Sequence, residues 1–125
     1  MQGTKEKGHE RMMRDGLYHK DLGNVPNVTY TGKLQYTEHA KRAAMTDRYG
    51  YITLPSTVNA SAKVVEVEVK RGKPVKALFR SAYDRKHDLC LVVLLDTGTV
   101  KTVWLNRAND LHKTLDKSRY VNGGK

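Results

Sequence analysis

The sequence predicts an α+β fold: one helix packed on an antiparallel sheet of about four strands joined as a meander, behind a flexible N-terminal arm. Three observations carry this expectation. Residues 64–70 alternate, with Val65, Val67 and Val69 on one side and Glu66 and Glu68 on the other, the period of a half-buried strand. Residues 89–95 are apolar at every position, as in a strand covered on both faces. Ahead of both, Ala40, Ala43 and Ala44 recur at helical spacing, and such small side chains let a helix lie close to a sheet.

Taken in order, residues 1–31 read as an arm. Gly3, Gly8, Gly16 and Gly23 interrupt any period, and Leu17, Tyr18, Leu22 and Val25 are its few apolar anchors. Its acids and bases nearly balance, and a short helix is expected near residues 6–14. A single domain spans residues 32–120. In it Thr37 is an N-cap, followed by Glu38 where the helix dipole favours an acid. Gly50 follows the helix end, and Pro55 excludes a long helix beyond it. After the strand at 64–70 comes a turn at 71–74, then a second strand at 75–83. The apolar run at 89–95 is the third strand. Asp96-Thr97-Gly98 is a hairpin signal, and the fourth strand covers 99–105. A short helix capped by Asn109 or Asp110 and a loose tail at 121–125 complete the chain.

The 125 residues suffice for one core. Their formal net charge is +10, from 23 Lys+Arg against 13 Asp+Glu, which favours a polyanionic partner. No apolar segment approaches the roughly 20 residues that cross a bilayer, and no helical segment pairs a broad apolar face with a basic one. No membrane partner is expected. The one cysteine, Cys90, lies inside the apolar run and reads as a buried small hydrophobe. A lone cysteine and a charged N-terminus suit a cytoplasmic setting.

Strand phase sorts the candidate chemistry. Arg80 shares a face with Leu78 and Ala82. Thr102, Trp104 and Asn106 share a face of the last strand, giving a hydroxyl, a flat ring and an amide in one row. A guanidinium such as Arg80 can hold a phosphate and stabilise charge at a five-coordinate phosphorus. His39 sits near the helix start, where neutral imidazole is favoured and can accept a proton. Tyr83, Asp84, His87 and Asp88 cluster before the third strand, and His112 follows the fourth; His87 or His112 could be the second proton carrier. Each of these residues also has a plain structural reading, Trp104 in a core, Arg80 on an edge, the histidines in loops. The spacing of Cys, His and carboxylates gives no metal site, and no cofactor is expected. RNA carries its own nucleophile, the 2′-hydroxyl, and needs a base, an acid and a positive clamp. DNA lacks that group, so the residue set suits RNA better.

The order Tyr36-Thr37-Glu38-His39-Ala40, Phe79-Arg80 and Val100-Lys101-Thr102-Val103-Trp104-Leu105-Asn106 resembles small toxin-type ribonucleases of the barnase–EndoU–colicin–RelE assemblage, and uncharacterised phage and toxin proteins, over residues 34–120. The resemblance implies metal-independent cleavage of RNA, often tRNA or ribosome-bound mRNA. It implies an acid or base at His39, a phosphate clamp at Arg80 and a phosphate-holding hydroxyl at Thr102. The strand glutamate base of one branch has no counterpart here.

The resulting expectation is an endoribonuclease that leaves 2′,3′-cyclic phosphate and 5′-hydroxyl ends. His39 or His87 deprotonates the 2′-hydroxyl; Arg80 and Thr102 hold the phosphate; Trp104 or Tyr83 stacks a base; Lys41, Arg42, Lys101 and Arg107 guide the backbone. An inhibitory or immunity protein is the expected restraint on such an activity, in the cytoplasm of the producer or of a phage host. The alternative is a non-catalytic basic phage protein that binds nucleic acid or inhibits a host protein.

Overall fold

The computed structural model describes residues 13–109. Six strands form one sheet: β1 (Gly16–His19), β2 (Gln35–Tyr36), β3 (Lys63–Lys70), β4 (Lys73–Ala82), β5 (His87–Leu94) and β6 (Thr99–Arg107). A single α-helix among the described residues, α1 (Glu38–Met45), follows β2. The strand order is β1-β3-β4-β5-β6-β2. Every pairing is antiparallel except that of β2 with β6, which is parallel.

The expectation of a helix on a four-stranded antiparallel meander is therefore corrected: the sheet is mixed and has six strands, with one short helix. The meander β3–β6 forms its middle, and an edge strand flanks it on each side. The reading of the arm is corrected over residues 16–22 only. Its residues 16–19 pair with β3, from Gly16 opposite Val69 to His19 opposite Glu66, and a 3-10 turn (Lys20–Leu22) follows. The helices expected near residues 6–14 and after Asn109 fall largely outside the described residues.

Local chemistry explains each connection. Arg71 (φ 55°) and Gly72 (φ 75°) make the two-residue turn between β3 and β4, a conformation matched to strand twist. The Asp15 carboxylate accepts the Gly72 N–H at 3.0 Å, which ties the start of β1 to that turn. Between β4 and β5, the Asp84 carboxylate accepts the N–H groups of Lys86 (2.8 Å) and His87 (2.7 Å). Gly98 (φ 76°) closes the β5–β6 connection, its N–H bonded to the Leu94 carbonyl at 2.8 Å.

Helix α1 begins where the Thr37 hydroxyl accepts the Ala40 N–H at 3.0 Å. Ala40 (0% exposed) and Ala44 (1%) face the sheet. The helix lies along β6. At its start Thr37 donates its N–H to the Val100 carbonyl (3.2 Å) and its hydroxyl to that of Lys101 (3.3 Å). Past its end the Asp47 carboxylate accepts the Leu105 N–H at 3.2 Å.

Two apolar clusters result, one on each sheet face. The larger joins Ala40, Ala44 and Ile52 to Val67, Val69, Phe79, Leu91, Val93, Val100, Val103 and Leu105. The smaller is Val65, Leu78 and Cys90, with Val92 and Trp104 packed against it. Cys90 is fully buried, and burial pushes its thiol up to about 12.

Candidate functional site

Arg80, Thr102, Trp104 and Asn106 share the sheet face that carries the smaller cluster, because Arg80 lies opposite Cys90, Cys90 opposite Trp104, and Val92 opposite Thr102. Arg80 stands deep in the structure, with its side chain 12% exposed. Its Nε donates to Asp88 Oδ2 at 2.8 Å and its Nη2 to the Arg107 carbonyl at 3.0 Å. Two of the donors that a phosphate clamp would use are thus committed to the protein. Trp104 and Thr102 are half-buried, and the ring packs on the Val65–Leu78–Cys90 cluster. Asn106 is buried, its amide 3.8 Å from the Cys90 sulfur.

His39 is not brought to that group. It is exposed on α1, and α1 packs through Ala40 and Ala44 on the larger cluster, so the sheet lies between His39 and the side chains of Arg80 and Thr102. Lys41 and Arg42 are exposed on the same helix, Lys41 at 3.6 Å from Glu38. Lys101 is exposed at the helix start. Tyr83 packs against the larger cluster, and its hydroxyl accepts the Thr53 N–H at 2.9 Å. His112 lies outside the described residues.

His87 is placed differently. It opens β5 directly opposite Arg107 of β6. Its Nδ1 is 3.0 Å from Asp84 Oδ1, and its ring lies 4.7 Å from that of Tyr49, tilted by 43°. The Arg48 guanidinium covers the Tyr49 ring at 4.8 Å, a cation–π contact. Tyr49, Arg85, Lys86, His87 and Arg107 line an open hollow of about 610 Å³ at this end of the sheet. His39 and His87 thus lie toward opposite ends of α1, since α1 starts beside Lys101 and ends beside Leu105.

The electrostatics of the hollow fix the imidazole. The Asp84 carboxyl is held below its usual range, chiefly by the Lys86 N–H, which together with the side chain and N–H of His87 outweighs the opposing effect of burial. An ionised carboxylate only accepts hydrogen bonds. His87 therefore donates from Nδ1, which leaves Nε2 as the basic nitrogen. Arg85, Lys86 and Arg107 line the hollow beside this pair with positive charge, and Arg48 adds a further cation behind Tyr49. An imidazole oriented by a carboxylate among cations can take a proton beside a phosphodiester and offset the charge that develops there.

Sequence reasoning named His87 and Arg107 and missed Tyr49, Arg48, Arg85 and Lys86. The run Asp84-Arg85-Lys86-His87 between two apolar strands was a readable signal for the loop residues. Tyr49 had none, because the Asp47–Leu105 bond brings it there from a remote turn.

Among the described residues no group of three or more His, Cys, Asp or Glu side chains is placed to hold a metal ion, and no helix is long and apolar enough to cross a membrane. Comparison with protein-family models, curated proteins and solved structures gave no match.

Proposed function

We propose that this protein is a metal-independent endoribonuclease whose reaction is centred on His87 in the cationic hollow. The observation that supports it is the His87–Asp84 pair, with Nδ1 at 3.0 Å from the carboxylate, set among Arg85, Lys86 and Arg107. Nε2 of His87 takes the 2′-hydroxyl proton. The 2′-oxygen attacks phosphorus, the bond from phosphorus to the 5′-oxygen breaks, the departing oxygen takes a proton from solvent water, and His87 returns its proton to solvent. Arg107 and Lys86 stabilise the phosphorane, and Tyr49 offers a ring to the adjoining base. The products carry 2′,3′-cyclic phosphate and 5′-hydroxyl ends. A single-stranded tRNA loop or mRNA segment fits the substrate class. An acidic inhibitor protein seated in the same hollow would silence it. In this reading His39, Arg80 and Thr102, the residues behind the likeness to toxin-type ribonucleases, are not the reacting groups.

A second reading, a basic protein that binds RNA without cleaving it, is favoured by one observation: among the described residues lining the hollow His87 is the one imidazole, so no second imidazole stands ready to protonate the leaving 5′-oxygen. One experiment separates the two. End-labelled single-stranded RNA is incubated with the protein in excess chelator, and its termini are sequenced. Cyclic-phosphate ends that vanish in His87→Ala support the nuclease. Salt-sensitive binding of intact RNA supports the binder. Absence of both at low salt ends both readings.

A further inference from the structure

The hollow around His87 has a neighbour. A second cavity, of about 410 Å³, shares Ala108 with it. Lys20, Ser61, Lys63, Arg80 and Ser81 contribute to its walls. The Arg107–Ala108 segment between the two is held from β4 and from the β4–β5 loop. Arg80 donates to the Arg107 carbonyl at 3.0 Å, and the Ala108 N–H donates to the Lys86 carbonyl at 2.7 Å.

The charge balance of the second cavity favours an anion. Its two carboxylates are Asp21 and Asp88. Asp88 is engaged by Arg80 at 2.8 Å. Asp21 lies 3.9 Å from a fully buried His19, an imidazole that burial holds toward its neutral form, so no imidazolium offsets this acid. Against that one acid stand Lys20 and Lys63. Both are exposed, and neither has a carboxylate within ion-pair distance among the described residues. The apolar wall residues are small: Val65, Ala82 and Ala108. Exposed cations and hydroxyls set among small apolar side chains suit a sugar–phosphate backbone.

We infer that the two hollows are consecutive subsites of one groove for single-stranded RNA. Lys20 and Lys63 take a phosphate beyond the one over His87, and Arg107–Ala108 forms the saddle the strand crosses. This inference rests on the reading of the His87 hollow as an RNA site. The substrate is accordingly an extended single strand several nucleotides long, and affinity grows with length until both hollows are filled.

The test measures fluorescence anisotropy of the full chain with labelled oligouridylates of three and twelve nucleotides across a salt series. In the double variant Lys20→Glu/Lys63→Glu, affinity for the twelve-mer falls by about tenfold or more, while the trimer loses less than about twofold. In the milder Lys20→Gln/Lys63→Gln pair, the salt slope for the twelve-mer falls by about 1.4, two phosphate contacts at ~0.7 each. Circular dichroism confirms the fold of both variants. An unchanged twelve-mer affinity and slope, or equal losses for both lengths, overturns the inference. The parent reading fails separately: Arg85→Glu/Lys86→Glu would then leave trimer binding intact. Wild-type protein that binds neither RNA sinks both.

Discussion

Arg80 and Asp88 lock together at 2.8 Å across β4 and β5, and the same guanidinium reaches on to the Arg107 carbonyl. An arginine that interrupts an apolar strand is here a strut between sheet and candidate site.

Removing the strut exposes its role. Arg80→Ala leaves Asp88 half-buried without this cation and frees the Arg107 carbonyl. Loss of one partner of a buried pair costs about 3–5 kcal/mol; with side chains 12% and 22% exposed, a discounted loss of ~1–3 kcal/mol is expected. Urea unfolding measures it. The double change Arg80→Met/Asp88→Leu recovers part of the loss. Unchanged stability in Arg80→Ala, with RNA cleavage abolished, would return Arg80 to the role of phosphate clamp.

The His87 assignment predicts a split between binding and rate. His87→Ala lowers cleavage by about 10²-fold or more, the usual scale for a lost acid–base group, while RNA affinity stays within a few-fold. Asp84→Asn keeps the fold, weakens the orientation of the ring, and shifts the pH–rate profile. His39→Ala leaves cleavage near wild type. Single-turnover kinetics at saturating protein read all three, and equal losses in His39→Ala and His87→Ala would refute the placement.

Acid sensitivity follows from two turn carboxylates. Asp15 and Asp84 both titrate below the ordinary aspartate value of 3.8, Asp15 chiefly through the Gly72 N–H and Asp84 chiefly through that of Lys86. Each folded-state value is depressed, so the stabilisation is fully present above about pH 4 and is lost as pH falls through the lowered values. Denaturant midpoints recorded from pH 5 to pH 2 should drop steeply in wild type. They should drop less in Asp15→Asn/Asp84→Asn, and an identical slope would contradict the role given to these turns.

Gly98 is held to glycine by both its backbone and its surroundings. Its φ of 76° disfavours any side chain, and an added Cβ would meet the Tyr30 hydroxyl and stand 2.6 Å from the Lys33 carbonyl. Its own carbonyl accepts the Gln35 N–H that starts β2. Gly98→Ala should cost about 1 kcal/mol or more, seen as a lower Tm, with faster amide exchange at Gln35. A wild-type Tm would show that the turn relaxes freely.

The middle of the sheet was legible in the sequence, because alternation at Val65–Val69 and the apolar run around Leu91 report burial directly. The Thr37 cap was legible for the same reason: its chemistry is local. The edges were not. β1 holds four residues and β2 two, too few for a period, and each exists through pairing with β3 or β6. The grouping of the candidate residues was illegible for a different reason. Strand phase placed Arg80, Thr102, Trp104 and Asn106 on one face, but phase does not say which face a helix will cover. Helix α1 covers the other one, and His39 goes with it.

The parallel pairing of β2 with β6 has a consequence for synthesis on the ribosome. Gln35 and Thr99 are partners, yet the intervening chain must emerge before they can meet, and such remote contacts form late. Until β6 arrives, α1 lacks the strand along which it lies. The nascent chain should therefore hold α1 undocked until nearly all of its strands are made, and the His87–Arg107 pairing that builds the candidate site completes in the same closing event.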